Sequence, residues 1–422
     1  MSSPNQSPSP APLDLSAWRS VPTLLIVFGG IGALVGCITD TSQFGFSWLL
    51  AFMFFLSICL GALGMVILHH LFDASWSVPI RRFCEHLAYL LPVMAVLFIP
   101  IAILAPKMYP WMQMIEHHTQ DHSLKAKYPL FTFGGYYAVV VICFVVWTVL
   151  SNRLRYWSLK QDETGAAVCT RMMRRYAAVG IFLFALTLTL AAIMWMKALF
   201  HEWFSTMYGV WYFAASMWTT IFTIYFLTVL LKRQGPLREV ATDKTFYFIG
   251  SLMFAFTVFY AYITFFQYFI IWNANMPEET FWFVQREKGT WWDVGQLIIF
   301  GHFFLPFLVL LRIDVKLKIA VMVPLFMWAW LMHFMDMSFN IIPVRSPDNY
   351  SLDWRDLACF AFIGGLLANK FLRNLNAHPV LPQKDPRFAE SQEIYVPPLV
   401  TSDQYVQAAT EPGIKTSDGG GH

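Results

Sequence analysis

The sequence predicts an all-α integral membrane protein with about ten transmembrane helices, and three observations lead to this prediction. Of the 422 residues, 57% are hydrophobic and only 13% are charged, whereas a soluble domain carries about 25% charged residues. Apolar runs reach about 20 residues, the length that a helix needs to cross a hydrocarbon core of about 30 Å. Aromatic residues make up 18% of the chain, as is typical of proteins with Trp and Tyr at both membrane interfaces.

Clusters of charged residues separate the apolar runs and define the predicted spans. Prolines mark several of their ends, because Pro106 and Pro110 follow the third run and Pro277 follows the seventh. Spans two to five and six to nine enter the membrane in the same orientation, so we expect two four-helix bundles flanked by the first and tenth helices. The spans are predicted at 21–40, 46–71, 83–105, 131–151, 175–200, 207–231, 245–272, 292–312, 316–337 and 355–373.

The two ends of the chain differ in composition from its apolar middle. Residues 1–17 are rich in Ser and Pro and are expected to form a disordered cytoplasmic tail. The first apolar run is long for a signal peptide, so it is predicted to be a retained helix within a membrane domain of residues 18–373. Residues 374–422 are expected to be a mostly irregular tail. Lys and Arg concentrate on the side that holds the N-terminus, so both termini are predicted to be cytoplasmic.

The cysteines and loop sequences argue against a redox centre in this chain. None of the six cysteines lies within four residues of another, which excludes the C-x-x-C-H motif of c-type haem and the spacings of iron–sulfur ligands. The loops carry no Walker, Rossmann or nucleophile-elbow motif, and none is long enough to be a catalytic domain. We therefore expect no cofactor bound by the chain, no catalytic residue, no activity in isolation and no nucleic-acid partner.

His302 is the most central ionisable residue of the predicted spans. Ionisable groups at membrane depth are costly, so each one is a candidate for function. His302 could relay protons, donate a hydrogen bond to a quinone or ligate haem, or it could be a structural residue bonded to a neighbouring helix. Haem is disfavoured, because the other membrane histidines are expected near the surfaces and none is expected to face His302.

Two further pairs of polar residues lie at the predicted outer ends of spans five and nine. Lys197 and His201 are four residues apart and share a helix face, with Glu202 next in sequence. His333 and Asp336 are three apart and also share a face. These residues predict an outer part of a proton path, because imidazole exchanges protons near neutral pH. The alternative is that they are interfacial residues that reach towards water.

A third polar group lies at the predicted inner hairpin between spans two and three. It contains His69, Asp73 and His86, accompanied by His70 and Glu85. These side chains could form the inner mouth of a proton path. The alternative is that they are ordinary polar caps at the membrane surface.

The outer loop after span three contains the chain's densest set of metal-ligand side chains. They include two histidines four residues apart, but no cysteine joins them and no second cluster completes a site. We therefore predict no metal site. The residues are Glu116, His117, His118, Asp121 and His122.

Three segments resemble one family of membrane subunits. Residues 201–211 (HEWFSTMYGVW) resemble the segment that joins the middle helices of the ActF subunit of bacterial alternative complex III. Residues 275–282 (NMPEETFW) are similar to that family's outer loop after the seventh helix, and residues 302–307 (HFFLPF) to its eighth helix. The ten-helix layout extends the likeness over most of the chain apart from its two tails.

The resemblance implies an integral subunit of the NrfD/PsrC type in a quinol:cytochrome c oxidoreductase of the bacterial inner membrane. Partners would be an NrfD-like sister subunit, an iron–sulfur protein and a multihaem cytochrome c, with the haem c and the iron–sulfur clusters in those partners. The chain itself would contact lipid, quinol and a quinone such as menaquinone. His302 with Trp291 and Trp292 is the expected quinone contact, and Glu278 and Glu279 join the expected outer proton path.

The sequence departs from the family pattern at two positions. Met194 stands where an acidic residue precedes the tryptophan in relatives, and His201 stands where proline is common. If that acid carries protons in relatives, Lys197, His201 or Glu202 must replace it here, or that path is absent.

Two alternatives to a redox-complex subunit remain open. A secondary transporter would fit the possible internal repeat and the paired polar residues, but no span is predicted to be broken by a Gly-rich centre. A structural scaffold that conducts nothing would show the same polar helix ends. The sequence does not separate it from a proton-conducting subunit.

Overall fold

The computed structural model describes residues 18–117 and 122–391, and this part of the chain is helical. About 84% of the structure is helix, and the described residues contain no β-strand. The predicted all-α class is therefore confirmed. Predictions for residues 1–17 and 392–422, and those for His118 and Asp121, lie outside the described residues.

The first half of the chain forms nine helices. Asp40 begins α2 by accepting a hydrogen bond from the Gln43 backbone, and Thr132 begins α8 in the same way through Gly135. A π-helical turn, Ala192–Met196, and a 3₁₀ turn, Lys197–Phe200, continue the last of these helices. The helices are α1 (Ser20–Thr39), α2 (Thr41–Phe72), α3 (Val78–Ala88), α4 (Leu91–Leu97), α5 (Ile99–Met108), α6 (Pro110–Glu116), α7 (His122–Ala126), α8 (Phe133–Thr164) and α9 (Ala167–Ala191).

The second half forms another nine helices. A second π-helical turn, Ile299–Phe304, joins α13 to α14. The helices are α10 (Tyr208–Arg233), α11 (Asp243–Ala274), α12 (Pro277–Arg286), α13 (Thr290–Ile298), α14 (Leu305–Leu310), α15 (Ile313–Leu317), α16 (Ile319–Ile341), α17 (Trp354–Ala377) and α18 (Phe388–Ser391).

Eight helical segments of the described chain are long and apolar enough to cross a membrane, which makes this a multi-pass membrane protein. They are α1, α2, α8, α9 with its continuation, α10, α11, α13–α14 and α16. Residues Ser75–Leu97 and Ile99–Met108 count as a ninth if the bend of 51° between them lies within one span. At the tenth predicted position, α17 has 24 residues, but Lys370 and Arg373 make its second half too polar to join this set. The count of ten stays a prediction.

Two central helices organise the packing. α2 is buried along its whole apolar length and α10 along most of it. They cross closely at Gly61, where a Cβ atom would lie 2.1 Å from the Thr220 hydroxyl oxygen and 2.5 Å from the Ser216 carbonyl. A small residue at this point lets the two backbones approach, as is common between membrane helices.

The remaining helices pack on either side of this central pair. α3–α5, α8 and α9 pack against one another and against α2. α11 and α16 pack with α10, α13–α14 pack against α11 and α16, and α16 also contacts α2. α1 pairs with α17, and both contact α2. Below, the first group (α2–α5, α8, α9) and the second group (α10, α11, α13, α14, α16) keep these names.

The described C-terminal residues lie against the end of the first group that carries the hairpin between α2 and α3. α17 continues to Ala377, beyond the predicted end of the membrane domain, and residues 378–391 follow it. The Arg81 guanidinium donates to the Asp385 carboxylate and Arg387 pairs with Asp73. Residues 378–391, named the C-terminal strap below, are thus tied to the inner hairpin.

Candidate functional site

A cluster of three ionisable side chains lies inside the second group. His302, His333 and Asp336 are all buried, and one nitrogen or oxygen atom from each lies within 4.8 Å of the other two. Among the described residues, no other set of His, Cys, Asp or Glu side chains shares such a spacing. These three residues are named the polar cluster below.

The π-helical turn between α13 and α14 places His302 in the cluster. Such a turn inserts one extra residue into an α-helix and is often found at functional sites. The Trp328 indole of α16 donates a hydrogen bond of 2.8 Å to the Gly301 carbonyl and ties this turn to its neighbour. The turn thus directs His302 towards α10, α11 and α16.

Two aromatic rings fix the plane of the His302 imidazole. The Trp218 ring lies 3.8 Å from it on one side and the Tyr260 ring 3.9 Å on the other, both nearly parallel to it. Trp218 is held in turn by a hydrogen bond of 2.9 Å from its indole to Thr257. Within the described structure, neither ring nitrogen of His302 has a hydrogen-bond partner, so both are open to exchange in the plane of the ring.

The tautomer of His333 follows from its bond to Ser57. The Ser57 hydroxyl donates its hydrogen to the Phe54 carbonyl at 2.6 Å, so its oxygen accepts from His333 Nε2 at 2.8 Å. Nε2 therefore carries the proton and Nδ1 presents a lone pair. His333 Nδ1 has no hydrogen-bond partner within the described structure.

Asp336 adds another acceptor. Its Oδ2 atom is buried without a hydrogen bond in the described structure, and the Tyr260 hydroxyl lies near the carboxylate. The cluster thus brings together an imidazole lone pair, a carboxylate and a second imidazole that offers one donor and one acceptor. Buried acceptors facing one another are costly unless a proton, a cation or water lies between them. The arrangement suits a site that takes up a proton and passes it on.

The same three side chains could also hold a metal ion, since two histidines and a carboxylate are a known ligand set for divalent transition metals. The Ser57 bond would orient His333 for either use. The predicted absence of a metal site is not tested by this geometry.

The cluster corrects one expectation from the sequence. His333 was expected near the outer surface, grouped with Lys197 and His201. In the structure it lies beside His302, because α16 continues to Ile341 and places His333 more than two helical turns from that end. His302, His333 and Asp336, predicted separately, form one site.

The other predicted outer residues do not join the cluster through any hydrogen bond or ion pair given by the described structure. Lys197 is buried, with its ammonium group 5.7 Å from the centre of the Phe131 ring. The His201 carbonyl accepts a hydrogen bond from Lys127. Glu202 and Glu278 are exposed, and Glu279 is partly buried with its carbonyl accepting from Trp203.

The predicted quinone contact is not assembled as expected. Trp291 is buried and donates a 2.8 Å hydrogen bond to the Ser346 carbonyl, and its ring contacts Phe339 and Tyr350. Trp292 is 50% exposed. Both lie in the first turn of α13, and the helix rise separates them from His302 by about 15 Å.

An apolar cavity is lined in part by residues close in sequence to Ser57 and His333. It measures about 150 Å³ and is lined by residues of α2, α3, α10, α16 and α17. Trp330 lies one turn before His333, and Ile58 follows Ser57, so the cavity adjoins the residues that hold His333. A cavity of about this volume can hold a benzene-sized ring.

The predicted inner residues form a charge network instead of an open mouth. Arg174 pairs with Asp73, and Arg81 and Arg82 both pair with Glu85, at 3.3 Å and 3.1 Å. His69 Nδ1 bonds the Ser77 hydroxyl at 2.6 Å. The C-terminal strap covers this network.

One pair of histidines links the strap to α3. The His86 ring stacks on His378 of the strap, with ring centres 6.2 Å apart, and neither nitrogen of His86 has a hydrogen-bond partner in the described chain. Burial, followed by the charges of Arg155 and Arg82, lowers the pKa of His378 below its usual 6.5.

Several residues of the site gave no signal in the sequence. Ser57, Trp218, Tyr260 and Tyr208 belong to residue types that are common in this chain, so composition does not single them out. A helical-face argument that joined spans eight and nine could have paired His302 with His333, but it requires knowing which helices touch.

The fold and the cluster together define a multi-pass α-helical membrane protein with a buried His–His–Asp site. No protein-family model matches the chain, and no curated protein sequence matches it.

Proposed function

We propose that this chain is an integral membrane subunit of a quinol:electron-acceptor oxidoreductase of the alternative complex III type, with the polar cluster as its proton-transfer site. The observation that carries the proton role is the convergence of His302, His333 and Asp336 with unpartnered lone pairs inside a helix bundle. The three segments that resemble the ActF family support the type of complex.

Each residue of the cluster has a distinct part in the proposed transfer. His302 cannot leave its plane between two aromatic rings, so it exchanges protons only through its two edge nitrogens. His333 accepts at Nδ1, because Ser57 occupies Nε2. Asp336 supplies the negative charge that stabilises an imidazolium beside it. The proton thus moves between neutral and charged partners without leaving an unpaired buried charge.

The partners and cofactors belong to the same proposal. An NrfD-like sister subunit, an iron–sulfur protein and a multihaem cytochrome c would carry electrons, since this chain has no ligand motifs for haem c or iron–sulfur clusters. The complex would lie in the bacterial inner membrane with both termini of this chain in the cytoplasm. The apolar cavity beside His333 supports a place for the ring of a quinone such as menaquinone near the cluster.

A proton-coupled secondary transporter is the second candidate, and one observation favours it. Residues Ser75–Leu97 and Ile99–Met108 form a helical segment broken by a 51° bend, although no span was predicted to be broken. Broken spans often form substrate sites in transporters. A transporter would be stable alone and stabilised further by its substrate.

Purification of the chain from its native membrane in mild detergent tests the proposal. We expect a multihaem cytochrome c and an iron–sulfur protein to co-purify with the chain. The same fraction should catalyse quinol-dependent reduction of cytochrome c. A chain that purifies alone, without haem absorbance or reductase activity, would contradict the complex. A stoichiometric transition metal in the purified chain, lost in Asp336→Asn, would contradict the proton role of the cluster.

A further inference from the structure

Arg286 is a buried cation for which the described residues provide no carboxylate partner. It ends α12 and is only 2% exposed. Its guanidinium carbon lies 3.5 Å from the centre of the Trp282 ring, and it also faces Phe200 and Phe339. No acidic side chain in the described part of the chain lies within ion-pair distance of it, and its Nη2 atom has no hydrogen-bond partner there.

Such a charge needs compensation. A guanidinium stays protonated even when buried, and an unpaired buried charge is strongly unfavourable. Stacking on Trp282 and hydrogen bonds to backbone carbonyls offset part of this cost. They do not supply a negative charge, and the one buried carboxylate among the described residues of the second group is that of Asp336.

Arg286 contacts α16 at a residue close in sequence to Asp336. Arg286 Nε donates a 2.9 Å hydrogen bond to the Phe339 carbonyl. Phe339 is three residues beyond Asp336, which corresponds to about 4.5 Å along the helix axis. The guanidinium is therefore anchored within one helical turn of the carboxylate-bearing residue.

Two hydrogen bonds join Tyr208 to the backbone of Asp336. The Tyr208 hydroxyl donates to Asn340 Oδ1 at 3.0 Å, and Asn340 Nδ2 donates to the Asp336 carbonyl at 2.9 Å. Tyr208 also lies within electrostatic range of both Arg286 and Asp336. Polar groups of this kind transmit a charge–charge interaction through a region of low dielectric constant.

We infer that Arg286 is the counter-charge of Asp336, acting across Tyr208 and Asn340, and that it closes the outer side of the polar cluster. It is a positioning residue, because it stabilises the Asp336 carboxylate without touching His302 or His333 in any described contact. The consequence for proton transfer rests on the proposed function, but the charge pairing does not. Arg286 also opposes the return of a proton from the outer side, since like charges repel.

A double-mutant cycle in the full-length chain, purified in whatever assembly it forms, tests the pairing. The variants are R286Q, D336N and the double substitution, and the readout is the midpoint of thermal unfolding in detergent. We expect R286Q to lower the midpoint by more than about 5 °C, since it leaves Asp336 as an uncompensated buried charge. The double variant should lose less than R286Q alone, because neither charge is then left unpaired.

Control variants separate charge from packing. R286K keeps the positive charge but loses the forked hydrogen bonds, so it should retain more stability than R286Q. R345Q removes an outer-side arginine whose side chain is 45% exposed and pairs with Asp40 at 3.6 Å, and it should change the midpoint by less than about 2 °C. If R286Q yields no folded protein, recovery of folded protein in R286Q/D336N is the expected rescue.

The outcomes decide the inference independently of the proposed function. Losses of R286Q and D336N that simply add in the double variant, or a double variant that stays unfolded, would overturn the pairing. A clear rescue in a chain without quinol oxidation would leave the pairing intact and remove the proposed function. Additive losses in an active complex would overturn the pairing and leave the proposed function intact.

Discussion

Both helix groups contain a π-helical turn, but the side chains in their interiors differ. A π-helical turn at Ala192–Met196 in the first group places Trp195 in its core, and one at Ile299–Phe304 in the second group places His302. Trp195 stacks on Phe144 at 5.5 Å and contacts Phe98 at 4.6 Å. His302 is likewise enclosed by flat rings.

The difference lies in what the enclosed ring meets at its edges. Around Trp195 the neighbours are aromatic and aliphatic, so the ring contributes burial and stacking. Around His302 the neighbours include a second imidazole and a carboxylate. Aromatic packing thus fixes a ring in place in both groups, and in the second group the fixed ring also lies beside a second imidazole and a carboxylate.

The largest expected effect is a loss of stability in the first group. Trp195 is fully buried, so Trp195→Ala should lower the free energy of unfolding by about 3–5 kcal/mol through lost contacts and a cavity. Unfolding of the purified chain in detergent measures this. Trp272→Ala, at a tryptophan that is 61% exposed, is the matched control and should change little. Equal losses in both variants would contradict the assigned core.

The second-largest expected effect is a loss of proton transfer in the second group, with the chain still folded. Asp336→Asn keeps the shape but removes the charge, so proton release coupled to quinol oxidation should fall at least about 100-fold. Proton release and folding are measured on the same purified complex. Asp314→Asn, at an exposed carboxylate paired with Arg312, serves as the control. Normal proton release by Asp336→Asn would remove Asp336 from the path.

A smaller effect concerns the tautomer of His333. Ser57→Ala removes the acceptor that holds the proton on Nε2, so both tautomers become populated and proton release should fall by about tenfold. Ser338→Ala is matched, because that buried hydroxyl also donates to a carbonyl of its own helix, that of Phe334. If the two variants behave alike, the Ser57 bond has no role beyond packing.

The smallest effect concerns the C-terminal strap. Because burial lowers the pKa of His378 when the strap is docked, the docked state holds fewer protons than the free state. Docking is therefore strongest above the usual histidine pKa of about 6.5 and weakens as the pH falls below it. The protection of residues 378–391 against hydrogen exchange, relative to the intrinsic rate at each pH, should fall by less than about tenfold between pH 7.5 and 5.5. His378→Gln should remove this pH dependence, and a dependence that persists in it would point to another group.

The helix class and the candidate residues were accessible from the sequence because they depend on local pattern. Hydrophobic length predicts spans, and His302 stands out as an ionisable residue within one. His333 and Asp336 could be placed on one helix face by their spacing. Their meeting with His302 depends on how α13, α14 and α16 pack, which no local pattern specifies.

Other features depend on the folded chain. Trp291 and His302 are close in sequence, but helix rise along α13 separates them. The strap contains little regular structure, as expected from its polar composition, and it is held by Asp385 and Arg387, which pair with Arg81 of α3 and with Asp73 after α2. Arg286 gave no signal, since only the folded chain buries it.

Infrared difference spectroscopy of the purified protein tests the central claim most directly. Spectra taken across a pH titration, in water and in deuterated water, report the protonation of buried carboxyl groups. We expect a deuterium-sensitive carboxyl band that is present in the native chain, absent in Asp336→Asn and altered in His302→Ala. A native spectrum indistinguishable from that of Asp336→Asn at every pH would show that Asp336 exchanges no proton and would contradict the proposed proton-transfer site.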